Sequence, residues 1–154
     1  MDISFHDLLE KYSDVEVYLP KAIFDSVRRD YASADCRQKG IIVEVLFSLW
    51  LRRIYKDKSR WEYFKFDQEA DFYVNEHIID VKSSERFFYP LPDVREGKDI
   101  ALKYKRPFNY VLVAVQSWDE EKNIVGLKVH DIIHFDEKGV KKRIRPSGAI
   151  KRFL

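Results

Sequence analysis

The stretch EADFYVNEHIIDVKSS, residues 69–84, alternates apolar and polar side chains on both sides of a candidate turn at Asn75-Glu76. Successive side chains of a β-strand point to opposite faces of the sheet, so the stretch predicts a half-buried hairpin. A turn at Asn75-Glu76, or a four-residue loop from Val74 to His77, pairs residues whose numbers sum to 151, which sets Asp71 opposite Asp80. Directly opposed Cβ atoms lie about 4.5 to 5.5 Å apart. Two carboxylates at that distance repel each other, and a divalent cation bound between them would compensate their charges.

The composition of the chain predicts one compact domain. It has 154 residues, of which 45% are hydrophobic and 15% aromatic, enough for a single core. Its one cysteine, Cys36, excludes an internal disulfide, and the first residues lack the layout of a secretory signal. Glu44 and Arg52 bound the most apolar run, which falls short of the roughly 20 apolar residues of a membrane helix. We therefore expect a cytoplasmic protein with no membrane partner.

Periodicity predicts the order of helices and strands. Residues 109–116, NYVLVAVQ, are almost wholly apolar, which is typical of a central, often parallel strand covered by helices. Residues 117–154 give no clear pattern. From residue 37 the order is helix, three strands, helix and strand, which predicts an α/β fold with a mixed sheet flanked by helices. The predicted elements are helices over 4–12, 20–31 and 37–55, a strand over 61–66, the hairpin strands, a helix over 92–106 and a strand over 109–116.

A third acid, Glu44, lies in the apolar stretch IIVEVLFSLW, residues 41–50. On a helix, Glu44 shares a face with Gly40, Ser48 and Arg52 at four-residue steps. This stripe has two interpretations. It is the solvent-facing side of the helix, or it lets the sheet approach and directs Glu44 at the aspartate pair.

The tripeptide acid-x-Lys occurs four times, so it carries little weight without its context. Only Asp80/Lys82 lies on a patterned strand and follows a second acid across a hairpin, and it places Lys82 on the same face as Asp80. The alternative is an ordinary surface hairpin whose ion pair is worth about 0 to 1 kcal/mol. The four occurrences are Asp80/Lys82, Glu96/Lys98, Glu120/Lys122 and Asp136/Lys138.

These residues and their order resemble the PD-(D/E)XK nucleases, the restriction-endonuclease-like superfamily. The family core is a helix, three strands, a helix and a strand, the order predicted here over 37–116. The family places an acid on its second strand and (D/E)-x-K on its third, which look like Asp71 and residues 80–82. Many members add a glutamate from the first core helix, and Glu44 matches it. Ala70 stands where the motif has proline.

The resemblance covers about half of the chain and implies one nuclease domain over 1–154. Residues 37–116 would form its catalytic core. Residues 1–36 would be an N-terminal helical extension, and 117–154 a C-terminal extension that includes a basic tail. Neither extension has a counterpart in the family core, so the choice of substrate does not follow from the resemblance.

The resemblance also implies metal-assisted hydrolysis of phosphodiester bonds. Asp71 and Asp80 would hold Mg²⁺, for which Mn²⁺ could substitute, together with the backbone carbonyl of Val81. Glu44 would bind the metal directly, through water, or by holding a second ion. Lys82 would orient the attacking water and stabilise charge in the transition state. The implied catalytic residues are Asp71, Asp80, Lys82 and Glu44.

The positive charge of the chain is concentrated at its C-terminal end. Residues 137–154 contain seven Lys and Arg residues and one Glu, a net charge of +6, so the other residues sum to −4 given a total of +2. Clustered Lys and Arg suit phosphate backbones, although a solvated tail that only aids solubility has the same composition. The predicted nucleic-acid-binding residues are Lys141, Lys142, Arg143, Arg145, Lys151 and Arg152.

The expected function is a metal-dependent DNA endonuclease, with recognition of Holliday junctions or other branched DNA as one option. A small restriction-type endonuclease, or an inactive module that binds nucleic acid or protein, is the alternative. Each chain carries one set of two acids and a lysine, whereas cutting a DNA duplex breaks two strands. We therefore expect a homodimer, with the aromatic loop 85–93 and the first helices buried in it.

A weaker candidate is a zinc site at His130 and His134, four residues apart, if they lie on a helix.

Overall fold

A computed structural model describes residues 13–55, 59–61, 72–74, 76–83 and 94–144. These residues form three helices and seven strands around one sheet. In chain order the elements are β1 (Asp14–Tyr18), α1 (Lys21–Ser33), α2 (Cys36–Tyr55), β2 (Ser59–Trp61), β3 (Phe72–Val74), β4 (His77–Ser83), α3 (Val94–Tyr104), β5 (Phe108–Asp119), β6 (Ile124–Phe135) and β7 (Lys141–Ile144).

The sheet is mixed, and its order is β1-β6-β5-β4-β3-β2, with β7 also paired to β6. The pairing of β4 with β5 is parallel, and the other described pairs are antiparallel. Helix α3 connects the two parallel strands, as a parallel connection requires. The predicted α/β class with a mixed sheet is therefore confirmed, and so is the central, parallel position of the apolar strand β5.

From α2 onward the described elements follow the predicted order of helix, three strands, helix and strand. Helix α2 begins at Cys36 because Asp35 and Gln38 cap it. The Gln38 backbone N–H donates to Asp35 Oδ1 at 2.8 Å, and the Asp35 N–H donates to Gln38 Oε1 at 3.2 Å, a capping box. The predicted helix over 4–12 and residues 62–66 of the predicted strand lie outside the described residues.

Helices cover both faces of β4. Ile79 and Val81 belong to an apolar cluster that includes Phe47 of α2, whereas Ile78 belongs to a second cluster with Ile100 of α3. The expectation of a half-buried hairpin is therefore wrong for β4. A parallel strand beside a crossover helix has a second helix layer over its other face. None of the helices within the described ranges is long and apolar enough to cross a membrane.

Candidate functional site

Asp80 and Lys82 form an ion pair along strand β4. Residues two apart on a strand share a face, and Lys82 Nζ lies 3.3 Å from Asp80 Oδ2. The Lys82 side chain is 45% exposed, whereas the Asp80 side chain is 5% exposed. The pair is thus a buried carboxylate whose cationic partner extends to solvent.

The residues beside Asp80 and Lys82 on strand β5 belong to an apolar cluster. In the parallel register, Asp80 lies beside Tyr110 and Lys82 beside Leu112. Tyr110 and Leu112 are buried with Ile78 in the α3-side cluster. A buried charge costs several kcal/mol unless it is paired and hydrogen-bonded. Lys82 supplies a positive charge to this carboxylate.

The four acid-x-Lys tripeptides differ in their structural context. Only Asp80/Lys82 lies on a strand, which is the distinction that the sequence pattern predicted. The other three are Glu96/Lys98 on α3, Glu120/Lys122 in the turn between β5 and β6, and Asp136/Lys138 in the turn between β6 and β7.

The hairpin of β3 and β4 has the predicted register. Phe72 pairs with Ile79, and Val74 pairs with His77, so paired residue numbers sum to 151 as the turn at Asn75-Glu76 required. Glu76 takes a positive φ of 71°, a conformation that tight turns demand. Asp71, the second predicted carboxylate, lies outside the described residues.

Glu44 is half buried on α2, in a stripe whose Gly40 end approaches the sheet. A Cβ atom built at Gly40 would lie 4.0 Å from Ser83 Cβ, at the end of β4. Ser48, one turn beyond Glu44, is 2% exposed. From Gly40 to Ser48 the stripe is therefore not the solvent-facing side of the helix, whereas Arg52 at its end is exposed and lies on the outer side.

Among the predicted site acids that the structure describes, Glu44 belongs to a helix on one face of β4 and Asp80 lies on the other face. Helix α2 packs on the face that carries Ile79 and Val81. Asp80 alternates with these residues and so shares the face of Ile78. Any joint action of Glu44 and Asp80 therefore takes place around the end of the strand, where Gly40 of α2 approaches Ser83, and not across one face.

The described ranges contain no group of three or more His, Cys, Asp or Glu side chains that could hold a metal ion. Asp80 offers a carboxylate, and Val81 offers only its backbone carbonyl because its side chain is a hydrocarbon, which is buried in the apolar cluster on the α2 side. The predicted metal site therefore depends on Asp71, and it stays a prediction.

The basic residues of β7 differ from one another. The Arg143 guanidinium donates through Nε to Asp131 Oδ1 at 3.1 Å and to Oδ2 at 3.0 Å, and through Nη2 to Oδ2. This hydrogen bonding raises the pKa of Arg143, and the pair compensates its charge. Lys141 and Lys142 are exposed. The other predicted nucleic-acid ligands, Arg145, Lys151 and Arg152, lie outside the described residues.

A buried polar cluster at the start of β4 was not predicted. Asn109 is 1% exposed, and its Nδ2 lies 3.3 Å from the Ile78 carbonyl and 3.2 Å from His77 Nδ1. A carbonyl only accepts, so it fixes the amide orientation. Asn109 Oδ1 then accepts from His134 Nδ1 at 2.7 Å. The contacts join three strands, and no local sequence pattern reports them.

The candidate zinc pair is wrong, because His130 and His134 lie on strand β6 and not on a helix. Four residues of a strand span about 13 Å, too far for two imidazoles to share one ion.

Comparisons of the chain with protein-family models, curated proteins and solved structures find no match.

Proposed function

We propose that the chain is a metal-dependent nuclease that hydrolyses phosphodiester bonds of DNA. One observation carries the proposal: a buried Asp80 paired at 3.3 Å with the half-exposed Lys82 on β4, inside the order helix, three strands, helix, strand. This combination is similar to the PD-(D/E)XK core, so the proposal extends to a restriction-endonuclease-like fold. The confirmed hairpin register supports the sequence argument that pairs a second acid with Asp80.

The donor set fits a hard divalent cation. Carboxylate and carbonyl oxygens are the ligands that Mg²⁺ takes in proteins, along with water and substrate phosphate. Asp80 and the carbonyl of Val81 supply these on β4, and Asp71 is the second carboxylate on sequence grounds. A bound Mg²⁺, or Mn²⁺ in its place, would polarise the scissile phosphate and lower the pKa of a water molecule.

Lys82 has two roles in the proposal. Its ammonium neutralises Asp80 in the free protein, at 3.3 Å, and its long flexible stem allows it to turn outward. Once the charge of Asp80 is compensated otherwise, Lys82 is available to the phosphate. There it would orient the attacking water and stabilise the negative charge that develops in the transition state.

Glu44 receives an indirect role. Because α2 covers the face of β4 opposite to Asp80, we assign Glu44 to a water-mediated contact around the end of the strand. The close approach of Gly40 to Ser83, at 4.0 Å for a built Cβ, brings the helix near enough for this. Replacing Glu44 is therefore expected to lower activity less than replacing Asp80.

DNA would be held by the exposed lysines of β7 and by the predicted ligands of the tail. Strand β7 lies three strands from β4 in the sheet, or about 14 Å.

Cutting of both strands of a DNA duplex calls for two active sites, so the proposal includes a homodimer.

Cleavage assays test the function. Supercoiled, linear, single-stranded and four-way-junction DNA, and RNA, are incubated with Mg²⁺ or Mn²⁺ and compared. The wild type is expected to cut DNA only with metal, and Asp80→Asn and Lys82→Met to lose at least about 100-fold in rate. The matched control is Glu120→Gln, an exposed acid of another acid-x-Lys tripeptide, which should keep full activity.

Binding of the metal is measured separately by thermal unfolding. At about ten times its Kd, a cation stabilises the folded state by about 1.4 kcal/mol, which Asp80→Asn should abolish and Glu120→Gln should not. DNA binding without cleavage or metal stabilisation would mean an inactive binding module and would overturn the proposal. Cleavage that survives in Asp80→Asn would do the same.

A further inference from the structure

The outer face of α2 carries an apolar stripe, formed by Ile41, Val45 and Leu49. Their exposed fractions are 53%, 40% and 38%, and their four-residue spacing sets them in one row along the helix. The inner face of the same helix is in the core, with Phe47 and Trp50 buried. Helix α2 is therefore apolar on both sides, whereas a helix at the surface of a domain normally has a polar outer face.

We infer that this stripe is a twofold interface between two copies of the chain. An isologous contact requires a patch that is complementary to itself. The stripe has this property, because an antiparallel α2 pair centred on Val45 places Ile41 against Leu49 of the partner subunit. Val45 lies beside the twofold axis and packs against Val45 of the partner subunit.

Charge at the two ends of the stripe favours a second copy over an unrelated partner. Arg52 is exposed and lies on the outer face, three residues after Leu49. At the other end, Ile41 borders a shallow groove of about 410 Å³ between α1 and α2, which Asp30 also lines. The antiparallel pair brings Arg52 of the partner subunit to the Asp30 end of this groove. Two symmetrical Asp30–Arg52 pairs then flank the apolar row.

The homodimer belongs to the proposed nuclease, but this surface is inferred from the exposure and spacing of α2 residues and from the charges at the two ends of the stripe. Asp80 and Lys82 contribute nothing to the stripe. A monomeric active nuclease would overturn the interface and keep the function, whereas an inactive dimer formed through α2 would do the reverse.

Sedimentation velocity of the full chain from about 1 to about 100 μM tests the interface. The wild type is expected to dimerise within this range. Val45→Glu buries two facing carboxylates at the axis and should raise the dimer Kd by at least about 100-fold. The matched control is Val140→Glu, because Val140 is 60% exposed in the turn before β7, and it should leave the Kd unchanged. Asp30→Lys and Arg52→Glu should each weaken the dimer, and their combination should restore it.

Cysteine cross-linking tests the arrangement without relying on a disruptive variant. In a Cys36→Ser background, Val45→Cys should cross-link to itself through a short thiol reagent. A mixture of Ile41→Cys and Leu49→Cys should cross-link more than either protein alone. A wild type that stays monomeric to about 100 μM overturns the inference, as does Val45→Glu dimerising like Val140→Glu. That result would assign the stripe to another occupant.

Discussion

Replacing Arg143 with methionine removes one partner of the ion pair between β6 and β7 and so tests its contribution to stability. The carboxylate of Asp131 is 1% exposed and accepts from the Arg143 guanidinium and from the backbone N–H of Ile132 at 3.0 Å. In Arg143→Met the carboxylate keeps only the Ile132 donor and its charge loses its partner. We expect the folded state to be destabilised.

The magnitude follows from the burial of each partner. Removing one member of a fully buried pair costs about 3 to 5 kcal/mol. Because the Arg143 side chain is 41% exposed, water can reach the vacated position, and we expect about 2 to 3 kcal/mol. For a chain of this size, that lowers Tm by about 4 to 12 °C.

Urea unfolding measures the effect, with Lys141→Met on the same strand as control. Lys141 is exposed, so its replacement should change the unfolding free energy by less than about 0.5 kcal/mol. Adding Asp131→Asn to Arg143→Met removes the unpaired charge and should recover about 1 kcal/mol. Equal stability of Arg143→Met and Lys141→Met would refute the reasoning and return Arg143 to the residues available for DNA phosphate.

Three further outcomes are expected. Gly97→Ala should destabilise the folded state by about 1 to 2 kcal/mol, measured by urea unfolding. The added Cβ would lie 2.7 Å from Tyr110, and this overpacking outweighs the gain of about 1 kcal/mol in helix propensity. A more stable variant would contradict this. Burial, and then a nearby lysine, lowers the pKa of His130 below 6.5. Its contribution to stability is therefore present above pH 6.5 and is lost as pH falls through the folded-state pKa, and His130→Gln should flatten unfolding free energies between about pH 7 and 5. Lys141→Gln with Lys142→Gln should reduce the slope of log K against log salt for DNA by about 2, and an unchanged slope would show that β7 does not contact phosphate.

The features predicted correctly from the sequence depend on neighbouring residues. The register of the hairpin followed from the turn at Asn75-Glu76, because a short turn fixes which residues pair. The position of α2 followed from the length and apolar density of residues 37–55. The position of β5 followed from its unbroken apolar run. Each of these signals lies within a few residues of the structure that it determines.

Strand β6 had no clear prediction because its alternation changes phase. Leu112 pairs with Asp131, and Val113 pairs with Val129, so His130 is an extra residue on β6. A bulge of this kind shifts all later side chains to the opposite face. Before it, alternate residues such as Val129 face the α2 side, and after it Ile132 does so. A search for a period of two fails across that step.

The half-buried hairpin was wrong for a different reason, namely that the second helix layer is not visible in the hairpin itself. Ile78 and Ile79 are both fully buried, which alternation alone assigns to opposite environments. The polar residues on the α3-side face of β4 are Asp80 and Lys82, and they follow Ile78 toward the end of the strand. Burial on both faces makes the retention of Asp80 more informative than it would be on a surface hairpin, where an exposed ion pair carries almost no functional weight.

The proposed site residues differ in how far local geometry determines their contacts. Asp80 and Lys82 are neighbours on one strand, so their contact follows from local geometry, and the structure describes it. The relation of Glu44 to them depends on how α2 packs, and the helix packs on the other face of β4. A nuclease built on this strand should therefore lose its activity with Asp80→Asn and keep a measurable part of it with Glu44→Gln. Equal, complete losses would place Glu44 in direct contact with the metal and would refute its indirect role.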